Sequence, residues 1–348
     1  MENRNASSAQ KVFNYSLKII KPKAKEEFDP LSTVRLYDIH KKLNYPEPKW
    51  FVKPFLPEGL SILAGKPKLG KSLFALRMAI SIAWGLKFMK SFSCERSTVY
   101  FIPYEDSLSR IKFRVSKMLG KMYAPKNIII PPQPEKFPRL TNGGLAAIKK
   151  IIKYRKDIGV IIIDTFGRFV NKSNYGNQSF QEDYDLLYSL QTLAVSNHIS
   201  ILLVHHTTKK EAEDPFDEIQ GTMGIQASPD SLMLMKKRSG HTELYVRGRD
   251  YEDTSYSLKF NQKKLSWEIM GDIRENGLSR EAKATLNLFK DNKLKTFKLS
   301  EVKQIMKDSN LQNTSNKLSR LVSKELIEKD GRGFYKLNLE TFKELVPE

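Results

Sequence analysis

GKPKLGKS, Gly65 to Ser72, is the stretch on which the reading of this chain turns. The apolar run Leu60-Ser61-Ile62-Leu63-Ala64 leads into it. A long apolar-rich segment, Ser72 to Trp84, leads out and stops at Gly85. Strand, glycine loop and helix in that order give the P-loop pattern G-x-x-x-x-G-K-[ST] the context it requires. Gly65 and Gly70 allow the backbone to curl until its N–H groups point into one concavity. The following helix aims its positive end at the same place, which suits phosphate oxygens. The residues expected around the nucleotide are Gly65, Lys66, Pro67, Lys68, Leu69, Gly70, Lys71, Ser72 and Leu73. Lys71 is placed to reach the β- and γ-phosphates of ATP, and the Ser72 hydroxyl to ligate Mg²⁺.

Strand and helix patterns alternate on the C-terminal side. Ser97 to Pro103 is β-rich and ends in Tyr104-Glu105-Asp106; a helix is predicted over 108–119, a short strand over 127–130 and a helix over 141–155. Gly159-Val-Ile-Ile-Ile-Asp164-Thr165 is the most apolar strand. After a helix over 181–197, Ile199 to Val204 is another, ending in His205-His206. Continuous apolar runs of this kind belong to parallel strands covered on both faces. The alternation implies an α/β core with a doubly wound, mainly parallel sheet. The later strands, 231–236, 241–249, 256–261 and 265–269, are closely spaced and expected as antiparallel additions at one edge.

The flanks differ from this core. Residues 1–44 are polar and Lys-rich without a sustained apolar period and read as a basic arm. Pro46, Pro48, Pro54 and Pro57 punctuate the lead-in to the first strand, so the core domain is taken as 45–271. Beyond 271–277 the pattern becomes three helices and two short strands around Asp330-Gly331, the outline of a winged-helix domain over 278–348.

Polar groups at strand ends carry the chemistry, because open α/β sheets bind ligands beyond the carboxyl ends of their strands. Asp164, after four apolar residues, looks like a Walker B carboxylate for Mg²⁺. Glu105 is the candidate general base for the attacking water, beside a carboxylate that can polarise it. His206 is placed to sense the γ-phosphate, whereas His205 reads as a core histidine. The pair completes no zinc ligand set, and Cys94 is the only cysteine.

The chain has 59 Lys and Arg against 39 Asp and Glu, a formal net charge of +20. A soluble protein this basic usually meets a polyanion, and nucleic acid is the first candidate; plain solubility or a Lys-rich compositional habit is the alternative. No apolar run approaches the ~20 residues that span a bilayer, and the N-terminus lacks the apolar region of a secretory signal, so a cytoplasmic location is expected. The loop 166–180 offers Arg168, Asn171, Lys172 and Asn174, with Tyr175 and Phe180 for stacking on single-stranded DNA. The loop from 209 is mixed, Lys209 and Lys210 being followed by five acids up to Glu218. In the third C-terminal helix Asn313, Ser315, Asn316, Lys317, Ser319 and Arg320 form a polar set suited to a duplex groove, with Lys329 and Arg332 on the wing.

Taken together, WFVKPFLPEGLSILAGKPKLGKS, VYFIPYEDS, VIIIDTFGRF, ILLVHHTTK, IQGTMGIQASPDSLMLM and LYVRGRDYE resemble the RecA-like P-loop ATPases, specifically the RepA-type hexameric helicases. The resemblance runs from Trp50 to Phe260. It implies a catalytic glutamate at Glu105, a Walker B aspartate at Asp164 and a nucleotide sensor at His206. It further implies that Arg249 or Arg247 reaches a neighbouring subunit's nucleotide as an arginine finger. The implied protein is a ring-forming, DNA-dependent ATPase that replicates a plasmid, virus or other mobile element. Two alternatives stay open: a recombination or repair ATPase that forms filaments, and an ATP-switched DNA-binding initiator or regulator. Lys66 and Lys68 depart from the small residues more usual in that loop.

Overall fold

Residues apolar at every position of a strand need cover on both faces, and the chain supplies it by placing those runs at the centre of a nine-stranded sheet. The structure is a computed structural model and describes residues 36, 47–170, 180–208, 212–238, 241–272 and 278–339. Pro48–Glu348 forms one compact unit. The basic arm lies outside the described residues apart from Leu36.

A small antiparallel pair, β1 (Trp50–Val52) and β2 (Leu56–Pro57), forms within the proline-rich lead-in. The large sheet holds β3 (Gly59–Gly65), β4 (Thr98–Pro103), β5 (Ile128–Ile129), β6 (Ile158–Asp164), β7 (Ser200–Val204), β8 (Ser231–Arg238), β9 (His241–Gly248), β10 (Thr254–Asn261) and β11 (Ser266–Asp272). Its order is β11-β10-β9-β8-β3-β7-β6-β4-β5. All pairings from β8 to β5 are parallel, and β9, β10 and β11 add antiparallel. The expectation that every late strand is antiparallel therefore fails for β8. Its residues Leu232 to Met235 are buried, and it lies parallel to β3 as a sixth parallel strand.

Period-two alternation divides the core between the two faces. Leu63, Val160, Ile162, Leu202 and Val204 pack with Phe74, Met78 and Ile82 of α1 (Lys71–Trp84). Leu60, Ile62, Ile161, Ile163, Ile201 and Leu203 pack on the other face. There they meet Ile148 and Ile152 of α3 (Leu145–Tyr154) and Leu187 and Leu190 of α5 (Phe180–Val195). α2 (Leu108–Leu119) starts at Ser107, whose hydroxyl accepts from the Arg110 N–H. The helix predicted from residue 141 is broken at Asn142-Gly143, where Gly143 has φ 85, so its regular part begins at Leu145. Two stretches read as plain loops contain short helices, α4 (Phe166–Phe169) and α6 (Met223–Ala227), with a 3-10 turn at Pro215–Glu218.

The C-terminal segment runs α7 (Arg280–Asp291), β12 (Phe297–Lys298), α8 (Leu299–Met306), α9 (Leu311–Ser323), β13 (Ile327–Lys329) and β14 (Phe334–Leu337). Its three strands lie in the order β12-β14-β13. It has its own core of Leu286, Phe289, Phe297, Val302, Leu318, Leu321, Leu326 and Leu337. Ser279 and Asn310 cap α7 and α9 through the Ala282 and Asn313 N–H groups.

Candidate functional site

The parallel strands β3, β4, β6 and β7 end side by side, and their last residues bring Gly65, Glu105, Asp164 and His206 to one edge. The loop after β3 turns into α1 at Gly70, whose φ of 94 lies in the left-handed region. A Cβ there would also stand 3.1 Å from the Trp267 ring. Trp267 of β11 donates from Nε1 to the Gly70 carbonyl at 3.3 Å and is 6% exposed. The sequence reading missed Trp267, which reaches the loop from 197 residues away because the antiparallel strands fold back beside α1. Lys66, Pro67 and Lys68 are exposed, while Leu69 and Leu73 pack partly against the core.

Lys71 is 5% exposed and spans the mouth of the loop. Its Nζ donates to the Gly65 carbonyl at 2.6 Å and the Lys66 carbonyl at 2.9 Å, and lies 3.4 Å from His206 Nδ1. Burial lowers its ammonium to about 8, against the pull of Asp164 and Glu105. Asp164 is buried, and desolvation raises its carboxyl to about 6; the Ser72 hydroxyl hydrogen-bonds to it and opposes that rise, while Asp106 and Glu105 add to it.

Asp164 Oδ1 is buried without a hydrogen-bond partner. A buried carboxylate oxygen with an open lone pair beside a serine hydroxyl fits a magnesium ion. Such ions take one or two protein oxygens and fill the rest of their shell with phosphate oxygens and water. Among the described residues no group of three or more His, Cys, Asp or Glu could hold a metal. Ser72 and Asp164 would thus hold the ion together with a nucleotide. When bound, it would neutralise charge on the β- and γ-phosphates.

Two adjacent carboxylates compete for the role of base, and their surroundings separate them. Asp106 is largely buried, with one oxygen 3.2 Å from Arg110 NH1 and the other bonded to Arg114 NH1. Glu105 is about half exposed; its Oε1 accepts from Thr165 Oγ1 at 3.3 Å and from Arg168 Nε at 3.4 Å. Glu105 thus presents a carboxylate to the cleft, while Asp106 fastens α2.

His206 follows β7, and its carbonyl accepts the Gln220 N–H at 3.0 Å, joining the edge of the site to the loop beyond. His205 is 2% exposed, its Nε2 donates to the Gln220 carbonyl at 2.6 Å, and its ring meets Phe166 edge-on. Burial pushes its pKa down to about 4, as a neutral core histidine requires.

The two arginines do not join this cluster. Gly248 pairs with Ser231, which pairs with Ser61, and the Arg249 N–H bonds the Asp230 carbonyl, whose own N–H bonds Leu60. Arg249 is therefore level with the start of β3, ~16 Å along the strands from Gly65 at ~3.3 Å per residue. Its guanidinium donates to the Ala227 and Ser228 carbonyls and sits 3.4 Å from Asp230 Oδ1. Arg247 pairs with Asp214 at 2.8 Å and Asp253 at 2.7 Å and covers the Phe216 ring. Gly248 is required between them, because a Cβ would stand 2.0 Å from the Tyr251 ring.

Of the loop residues read as DNA contacts, Arg168 is exposed, beside the buried Phe166, Phe169 and Val170. Asn171, Lys172, Asn174, Tyr175, Lys209 and Lys210 lie outside the described residues, as does the Phe180 side chain. Of the five acids in the second loop, Asp214 is paired with Arg247, and Glu218 is buried on Lys236 at 2.5 Å. Lys317 is held by Asp308 at 2.5 Å and Glu281 at 3.0 Å, which takes it out of the polar stripe of α9.

The family profile for AAA domains, AAA_25, matches residues 26–212, more than half of the chain. No curated protein matches the sequence. Among solved structures, an ATPase domain is similar with TM-score 0.48 and 12% identity, covering 61% of this chain and 84% of that one. A DnaB-like replicative helicase described with its interactions with primase gives 0.47 and 12%, covering 60% of this chain and 57% of that one. The RadB recombinase gives 0.45 and 13%, covering 62% and 91%.

Proposed function

This chain belongs to the AAA_25 family of AAA domains, and from that premise we propose that it is a DNA-dependent ATPase working as a replicative helicase. Its core is an ATP-hydrolysing, RecA-like α/β domain. In the proposed mechanism Gly65 to Leu73 cradle the triphosphate, Lys71 leaves the loop carbonyls for the β- and γ-phosphates, and Ser72 and Asp164 hold Mg²⁺. Glu105 takes the proton of the attacking water, and His206, beside Lys71, reports the state of the γ-phosphate to the loop at Gln220.

One observation carries the assembly: Arg249 lies at the end of the sheet opposite the P-loop of its own chain. Catalysis of phosphoryl transfer gains ~10³–10⁵ in rate from an arginine at the developing charge. Arg249 can supply that cation to the site of a second copy, and a head-to-tail contact of this kind closes as a ring or continues as a filament. We take the ring, a homo-hexamer with single-stranded DNA in its pore, as the working form; Arg247, held by Asp214, Asp253 and Phe216, is the less available finger. Replication of a plasmid, virus or other mobile element, in the cytoplasm, is the setting the motif resemblance implies. Among the described residues no helix is long and apolar enough to cross a membrane.

The C-terminal segment supports a second contact. Its order of helices and strands fits a winged helix, and Gln312, Asn313, Asn316, Ser319 and Arg320 form an exposed stripe on α9, a helix without acidic residues. We assign duplex DNA to that face. An initiator that uses this contact, with ATP as a switch, is the competing reading. ATPase rate with and without single-stranded DNA, read beside native mass, separates them. A helicase is stimulated and oligomeric, whereas an initiator responds to duplex alone.

A further inference from the structure

The glycine loop before α1 is held at its corner by a side chain from far outside it. The loop turns into α1 at Gly70 with φ 94, and Gly70 has no side chain with which to cap the helix. Its carbonyl accepts two donors, the Phe74 N–H at 3.0 Å and Trp267 Nε1 at 3.3 Å, which occupies both lone pairs. The Trp267 ring stands so near that a Cβ at Gly70 would lie 3.1 Å from it. The ring itself has little freedom. It is 6% exposed and packs on Phe260, its cross-strand partner, with 5.0 Å between centroids. Lys66, Pro67 and Lys68, the crown of the loop, are exposed. The base of the loop is therefore tied to β11 while its crown stays open.

The Gly70 carbonyl and the Lys71 N–H belong to one peptide group. That N–H lies in the first turn of α1, where a helix has no acceptor of its own and its donors are open to an anion. A donor on the carbonyl polarises the peptide and strengthens the N–H as a donor in turn. We infer that Trp267 is a positioning residue of the phosphate cradle: through the Gly70 carbonyl it orients and polarises the Gly70–Lys71 peptide toward the α/β-phosphates of the bound nucleotide. The cradle holds those phosphates in the ground state and the transition state alike, so the contribution falls on binding and not on the chemical step. The inference rests on the reading of Gly65 to Leu73 as that cradle.

The experiment compares wild type and Trp267→Phe for kcat and KM in ATP turnover and for ADP binding by calorimetry, with circular dichroism as the check on folding. Phenylalanine keeps a ring against Gly70 and removes the N–H. One hydrogen bond of ordinary net worth corresponds to about two- to tenfold in affinity. Trp267→Phe is expected to raise KM for ATP and Kd for ADP by that factor, equally for both, because the phosphates concerned are common to them. Its kcat should match wild type. A folded Trp267→Phe with unchanged Kd for ADP, or with lower kcat at unchanged KM, overturns the inference. A second measurement leaves position 267 intact. The chain has three tryptophans, so 5-fluorotryptophan labelling gives three resonances, assigned through Trp50→Phe and Trp84→Phe. The Trp267 resonance of wild type should shift when ADP is added, and a resonance that stays in place while ADP binds also overturns the inference. A wild type that binds no ADP defeats the cradle reading itself, and the inference falls with it.

Discussion

Two carboxylates one residue apart have different partners, and the proposed mechanism gives them different duties. Asp106 is consumed by Arg110 and Arg114, so Asp106→Asn should loosen α2 and lower the melting temperature while hydrolysis persists. Glu105→Gln should bind ATP as tightly as wild type and lose kcat by ~10²-fold or more, since it removes a base and leaves the cradle intact. Turnover numbers beside analogue binding check both; the reverse pattern would move the base to Asp106. Asp164 carries a cost that its proposed role at a magnesium ion explains. Its carboxyl sits at about 6 instead of 3.8, so between those values the folded chain binds more protons than the unfolded one. Stability from this group therefore falls as pH rises through the window. His205 acts oppositely. Displaced from 6.5 to about 4, it costs stability as pH falls through that range. The two slopes largely cancel in wild type. Asp164→Asn should raise unfolding free energy at pH 7 by about 1–3 kcal/mol, abolish hydrolysis, and expose the acid loss due to His205. Urea titrations from pH 4.5 to 7.5 read both effects; an Asp164→Asn chain less stable than wild type at pH 7 would contradict the account.

Secondary-structure elements show how far local pattern reaches. The P-loop, β6 and β7 were legible because an apolar run buried on both faces and a glycine turn are local statements, and Glu105, Asp164 and His206 follow from where those runs stop. The direction of β8 was not legible, because Leu232 to Met235 read the same whether the neighbour is parallel or antiparallel. Trp267 on Gly70 and Arg168 on Glu105 depend on register and on loops folding back, which no window of sequence encodes. Lys317 was misread for a related reason: its position on α9 is polar, but Asp308 and Glu281 lie beside it only after α7, α8 and α9 pack. The stripe that remains makes a narrower prediction. Asn316→Glu puts a negative charge in the middle of it and should weaken duplex binding by about 5- to 150-fold, as a mismatched contact of ~1–3 kcal/mol does, with ATPase rate unchanged. Fluorescence anisotropy with a labelled duplex measures this, and unchanged affinity would make α9 a protein-docking face.

For the whole molecule, the proposed function places two halves of one site at opposite ends of a sheet. Lys71, Ser72, Glu105 and Asp164 gather where the parallel strands end, and Arg249 projects where β3 begins. The account therefore makes activity a property of the assembly and dependent on protein concentration. ATP turnover of an equimolar mixture of Lys71→Ala and Arg249→Ala, each inactive alone and shown by native mass to co-assemble, tests this most directly. In a mixed assembly some interfaces pair an intact P-loop with an intact arginine. Random mixing makes roughly a quarter of the interfaces of that kind, and a comparable fraction of wild-type turnover should return. A co-assembled mixture as inactive as its parents would contradict a site completed in trans and return Arg249 to the Ala227 and Ser228 carbonyls it caps.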